Sequence, residues 1–281
     1  MTAPPITRFG SGQSVKRVED DALLRGQGQF SDNLPAAGQL HACFLRSPHP
    51  HARITRIDIS AALAMPGVAG IFTGRDLVRA GVKPIPNSGD FTRADGAPTA
   101  TPPHHALAVD TVRFVGEAVA AVIAASPHEA RDAAERIDVD YAPLPAVVDT
   151  LAATVPGAPI VAADAPDNIA CEARHGDSVA AEAAFRRAAH VVALDLVNPR
   201  VAPCPIEPRS TLAICDEASE RVTLRVSCQT PTGLRDELCE VLGTPKDKVR
   251  VLVGDVGGGF GMKTSLYPED VIVAFAARAL K

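Results

Sequence analysis

Five glycines fall within the eight residues from Gly254 to Gly261, between an apolar, β-branched run at 249–253 and a segment that reads as a helix start. Glycine lets a backbone take positive φ and come close to a bound group, and a helix after such a loop offers free N–H groups to an anion. A plain strand-to-helix turn needs only about two or three glycines, so this density points to a phosphate-bearing cofactor. From Gly257 to Thr264 the pattern nearly matches a phosphate loop, GxxxxGK[ST], but Met262 stands where the last glycine should precede Lys263. The loop also lies close to the end of the sequence, with no later strand to carry a magnesium-binding Asp. Nucleotide hydrolysis therefore fits poorly, and no G-x-G-x-x-G can be registered for a dinucleotide.

Other reactive side chains form weaker patterns. His49 and His51 flank Pro50, with His41 nearby, but two histidines in a proline turn without a third ligand read as a solvated turn. The six cysteines, at 43, 171, 204, 215, 228 and 239, include no CxxC pair and no histidine at finger spacing. They read as buried, reduced thiols. Glu207 reads as the ion-pair partner of Arg209 rather than as a catalytic group. Gln229, taken alone, reads as a strand-end residue capping the helix after it.

The elements that position these residues follow from periodicity and punctuation. Strands are expected at residues 40–46, 52–58 and 68–73, with a Ser60-capped turn between the last two. Residues 83–107 lack periodicity and read as a functional or interface loop. Residues 112–123 read as a strand pair or one bent strand, with Gly116 at a bulge or close approach. Ser126, Pro127 and Glu129 mark a clear helix start, and residues 116–149 read as a β-α-β unit. A boundary is expected near residue 150, after a loose tail over 1–14 and a first domain over 15–150. In the second domain, 151–281, Asp177 and Ser178 open a helix and residues 191–197 read as a strand. A hairpin turns across 216–220, a helix spans 231–242 before Gly243, and the strand at 249–253 feeds the glycine loop. A terminal helix begins near Ser265.

Composition narrows the class. At 281 residues, 46% hydrophobic and 22% charged, the chain is an ordinary globular protein with room for two domains. A net charge of -5, 4% aromatics and no Trp leave no footprint for nucleic acid. No basic, apolar leader and no membrane-length apolar run are visible, so a cytoplasmic protein without a membrane span is expected.

Several motifs in series resemble one family. The loop Asp255–Lys263 is similar to the pterin-binding loop of the molybdenum hydroxylases, the molybdopterin-binding large subunits of the xanthine dehydrogenase, aldehyde oxidase and carbon monoxide dehydrogenase family. Residues 18–30, 41–49, 112–120 and 139–145 resemble, in order, that family's α/β-hammerhead domain. Glu207-Pro208-Arg209 and Gln229-Thr230-Pro231 resemble the opening of its cofactor domain.

The resemblance implies an α+β fold, a hammerhead domain followed by the first, incomplete part of a mixed α/β molybdopterin-binding domain. It implies a molybdenum-dependent oxidoreductase that oxidises a small carbon substrate (CO, an aldehyde or an N-heterocycle) with water-derived oxygen. The cofactor would be molybdopterin with Mo, in the cytosine dinucleotide form. Electrons would pass to [2Fe–2S] clusters on a small subunit and FAD on a medium subunit, in a dimer of heterotrimers. By position, Gln229 would hydrogen-bond an oxygen ligand of the metal, and Gly258, Gly259, Phe260 and Gly261 would line the pterin, Phe260 near the metal's distal side. No side chain of this sequence would ligate the metal. Thr264 stands where purine-oxidising members carry Glu, which disfavours xanthine. The family's general base lies far downstream, so no residue here takes that role, and the missing part of the large subunit would be needed for turnover. A non-catalytic assembly module and a degenerate phosphate-loop protein are the competing readings.

Overall fold

The computed structural model describes residues 16–87 and 91–280. The tail expected over 1–14 lies outside them. After α1 (Asp20–Leu24) come β1 (His41–Arg46), β2 (Ala52–Asp58), α2 (Ser60–Leu63), β3 (Val68–Thr73) and α3 (Gly74–Arg79). Then follow β4 (Thr111–Val112), β5 (Ala118–Ala124), α4 (Pro127–Ala134) and β6 (Asp138–Pro143). One antiparallel sheet has the order β1-β5-β3 and a second has the order β4-β2-β6. Every residue of β5 is buried, in keeping with its unbroken apolar sequence.

This topology corrects the β-α-β unit expected over 116–149. Both edges of β5 are taken by β1 and β3, so the chain leaving α4 pairs β6 with β2 in the other sheet. Gly116, at φ 90°, makes the turn between β4 and β5, and its N–H donates to the Ser47 carbonyl at 2.8 Å. Ser126 caps α4 as expected, accepting the Glu129 N–H. The cap on α2 differs: the Asp58 carboxylate, not Ser60, takes the exposed donors, the Ser60 N–H at 2.9 Å and its hydroxyl at 2.6 Å. α3 was not legible, although Thr73 and Asp76 form a capping box at its start.

The second half holds α5 (Ser178–Arg187), β7 (Thr211–Asp216), β8 (Arg221–Val226), α6 (Pro231–Leu242), β9 (Val249–Leu252) and α7 (Pro268–Leu280). β7 and β8 form the expected hairpin, and β9 lies parallel to β8 after the crossover through α6. Residues 191–197 do not form the strand expected of them: all are exposed, and none pairs with another described strand. β-Branched composition favours a strand only where a ladder partner exists.

The two halves share one core. Leu107 and Ala121 pack in the same buried cluster as Leu224, Leu234 and Val271, and the Phe72 and Phe275 rings meet edge to face at 5.2 Å. None of the described helices is long and apolar enough to cross a membrane.

α7 opens with two acids. Asp270, 4% exposed, accepts the Tyr267 N–H at 3.1 Å. Burial pushes its pKa up to about 6, against the lowering effect of that N–H and of Arg209. A raised carboxylate binds its proton more tightly when folded. It costs stability above about pH 6 and ceases to do so as pH falls below the unfolded value of about 4. Asp270→Asn keeps the oxygen acceptor, so thermal melts are expected to show it more stable than the parent near neutral pH, by on the order of 2 kcal/mol. The two should converge toward pH ~4; equal melting temperatures throughout would contradict this. At Gly74 an added Cβ would lie 2.3 Å from the Ala108 carbonyl oxygen. Gly74→Ala is expected to lose roughly 1–3 kcal/mol by overpacking, measured by denaturant unfolding.

Candidate cofactor site

β8 and β9 run parallel, so the segments that leave their carboxyl ends emerge side by side, the usual place for a ligand in such a unit. From β8 come Ser227, Cys228 and Gln229, ahead of α6; from β9 comes the glycine loop. The Gln229 N–H donates to the Lys263 carbonyl at 2.8 Å, and the Thr230 hydroxyl donates to the Thr264 carbonyl at 2.6 Å. Sequence positions 30 or more apart are thereby stitched into one surface.

The glycines have separable duties. Gly258 and Gly261 take positive φ, 98° and 83°. Gly254 and Gly259 allow close approach: a Cβ would fall 2.2 Å from the Gln29 carbonyl oxygen at the first and 2.3 Å from Gln229 Oε1 at the second. Phe260 itself sits at φ 52° and is 75% exposed. A non-glycine residue in that region is strained and is held there by its surroundings.

Gln229 Oε1 accepts the Gly261 N–H at 3.1 Å and the Lys263 N–H at 3.3 Å. Two backbone donors on one atom fix which end of the carboxamide is oxygen. The Nε2 group has no acceptor among the described residues and remains a neutral donor at the surface. The N–H groups of Gly258, Gly259 and Phe260 likewise have no acceptor there. The structure thus brings Gln229 and residues 258–261 together, as the sequence implied, and gives them a common chemistry of free donors.

The helix-terminus expectation needs correcting. α7 begins at Pro268, beyond the loop, and its first turn carries Glu269 and Asp270, so its N-terminus is answered by its own carboxylates. Donors come from the loop backbone instead.

Glu207 also differs from expectation. Its partner is Lys263, with Nζ 2.8 Å from Oε2, whereas Arg209 stacks over Tyr267 at 3.5 Å and reaches Glu269 at 3.4 Å. Pro208 separates two side chains that face different neighbours. Burial pushes the Glu207 pKa up, but hydrogen bonds from Lys263, Ser227 and the Gly257 N–H outweigh it and hold the carboxyl below its ordinary value. Lys263 is 1% exposed and points into the protein, so it is no phosphate lysine. The hydroxyl of Thr264 bonds back to the Gly261 carbonyl at 2.7 Å.

Sequence reasoning missed two supports. Gln29 clasps the loop from the first half: its N–H donates to Asp255 Oδ2 at 2.6 Å, and the Asp255 N–H donates to its carbonyl at 3.1 Å. Its place in the motif at 18–30 was the available signal. For the burial of Lys263 there was none, because a lysine in a glycine loop reads as surface.

The histidines have structural partners: His51 Nδ1 lies 2.7 Å from the Pro145 carbonyl, and His49 packs on the Tyr141 ring at 4.9 Å. Among the described residues no group of three His, Cys, Asp or Glu side chains could hold a metal ion. Cys228 and Cys239 are buried thiols, raised in pKa by that burial, but Cys204 is exposed. A cavity of about 680 Å³ lies elsewhere, lined by residues of β1 and β7, and neither Gln229 nor residues 258–261 line it.

Both halves of the chain are similar to known proteins. Residues 25–145 match the family described as aldehyde oxidase and xanthine dehydrogenase, a/b hammerhead domain, and residues 161–281 match the molybdopterin cofactor-binding domain. The nicotine 6-hydroxylase large subunit of Paenarthrobacter nicotinovorans is 38% identical over 99% of this chain and 33% of its own length. The carbon monoxide dehydrogenase large chain of Afipia carboxidovorans is 34% identical over 96% of this chain and 34% of its own. Quinoline 2-oxidoreductase from Pseudomonas putida 86 superposes with a TM-score of 0.84 at 35% identity, over 96% of this chain and 33% of that one. The chain spans about a third of the length of the relatives it matches. With both domain types matched in order along it, the chain belongs to the xanthine dehydrogenase, aldehyde oxidase and carbon monoxide dehydrogenase family.

Proposed function

We propose that this chain forms one wall of the molybdopterin site in the large subunit of a molybdenum hydroxylase. The observation that carries the reading is the pairing of Gln229 with the glycine loop, its oxygen spent on the Gly261 and Lys263 N–H groups and its NH₂ left free. The residues fit such a group. A flat heterocycle rich in nitrogen and oxygen needs a bare backbone face with donors, which the unpaired N–H groups of Gly258, Gly259 and Phe260 supply.

When bound, the cofactor supplies the redox chemistry by which a carbon substrate is oxidised with water-derived oxygen. The chain's part is to bind and orient. Gly258, Gly259, Phe260 and Gly261 would line the pterin, with the exposed Phe260 beside it. Gln229 Nε2 would donate a hydrogen bond to an oxygen ligand of the metal, and a neutral amide would do so without adding charge beside the ion. The general base comes from outside residues 1–281.

The domain boundary falls near residue 150. The cofactor is the cytosine dinucleotide form, and the partners are a medium FAD subunit and a small [2Fe–2S] subunit in a cytoplasmic dimer of heterotrimers. Thr264, bonded back to the loop, favours a substrate other than a purine. The names of the nicotine- and quinoline-oxidising relatives support an N-heteroaromatic as the first class to assay, ahead of CO or an aldehyde.

In the complete enzyme, Gln229→Ala is expected to keep molybdenum while kcat/KM falls roughly 10–100-fold. Metal analysis and steady-state kinetics check this. An active parent complex without molybdenum would sink the proposal; a variant with unchanged kinetics would favour a non-catalytic assembly role.

A further inference from the structure

We propose that the ion pair of buried Lys263 with half-buried Glu207 is the positioning element of the glycine loop, and that retention of the cofactor depends on it. This rests on the reading above and extends it to residues that do not face the cofactor. Lys263 Nζ donates to Glu207 Oε2 at 2.8 Å, to the Glu207 carbonyl at 2.9 Å and to Ser227 Oγ at 2.8 Å. Those three acceptors use all of an ammonium's protons. Glu207 Oε2 in turn accepts the Ser227 hydroxyl at 2.6 Å and the Gly257 N–H at 2.7 Å.

The pair therefore joins both ends of the loop. Gly257 opens the glycine run and Lys263 closes it, and the same carboxylate oxygen holds the backbone of one and the side chain of the other. Ser227, at the end of β8, ties that clamp to the sheet. Gln229 holds the middle through Gly261, so the free N–H groups of Gly258, Gly259 and Phe260 lie on a span pinned at three points. An apolar pair would fill the same space at lower desolvation cost, because burying two charges is expensive even when they are paired. What it would lack is directed donors and acceptors linking two chain segments 56 positions apart. The Lys263 side chain is enclosed, so its effect on a ligand acts through the backbone it holds.

The test uses the complete large subunit produced with its partners. Glu207→Gln leaves a buried ammonium without a counter-charge, and Lys263→Met leaves a half-buried carboxylate without its partner. Either single variant can fail to fold. The double variant Glu207→Gln/Lys263→Met removes both charges together and keeps similar volumes. Four quantities are measured: molybdenum per subunit, pterin released by oxidation, the size of the assembly and its melting temperature. The double variant is expected to assemble at the parent's size, yet to lose molybdenum and pterin on the order of tenfold. Parental molybdenum and pterin in the double variant, with an unchanged Mo(V) resonance spectrum, would overturn the proposal. Loss of assembly along with the cofactor would also overturn it, by making the pair a stability element only. Absence of molybdenum from the parent complex would instead defeat the functional reading on which this rests.

Discussion

An ammonium group cannot be left in a protein interior without its charge answered and its protons accepted, and Lys263 is 1% exposed. Much of the site follows from meeting that requirement. Glu207 must come inward, so the segment around it crosses behind the loop, and its backbone N–H reaches the Gly257 carbonyl at 3.3 Å. Ser227 must follow β8 at the strand's end to complete the ring of acceptors. Gly257 must be glycine, because a Cβ there would lie 2.5 Å from Glu207 Cβ. Once the back of the loop is fastened, its front is free to present unpaired N–H groups rather than fold onto them.

The first half of the chain takes part in this arrangement. Gln29 exchanges hydrogen bonds with Asp255 at the root of the loop. Arg46, on β1, donates to Glu269 at 2.6 Å, and Arg209 approaches the same carboxylate from the other side. Burial raises the Glu269 pKa, but the hydrogen bond from Arg46 and the nearby Arg209 outweigh it and keep the carboxyl below its ordinary value. The Lys83 N–H donates to the Val241 carbonyl at the end of α6. With Phe72 on Phe275 and the shared buried cluster, these links set the hammerhead part as a buttress for the glycine loop.

Elsewhere the chain leaves apolar surface in water. Val192, Leu196 and Val197 are each more than four-fifths exposed, and α5 buries none of its residues. These residues belong to a chain that spans about a third of the length of its relatives. The well-packed part is the one that holds the glycine loop.

Local chemistry was legible in the sequence wherever a residue acts on its own neighbours. Ser126 and Asp177 cap the helices they precede, Gly243 stops α6 in the left-handed region, and the alternation at 222–226 makes a strand. The glycine loop and Gln229 were likewise singled out by type and order. Tertiary structure decided what depends on vacancy and proximity. β6 pairs with β2 because both edges of β5 are occupied, and residues 191–197 stay unpaired because no described strand lies beside them. Glu207 chose Lys263 over the nearer Arg209 because an ion pair follows distance in space. Pro208 alone separates the two in sequence, yet Arg209 faces Tyr267 and Glu269 instead.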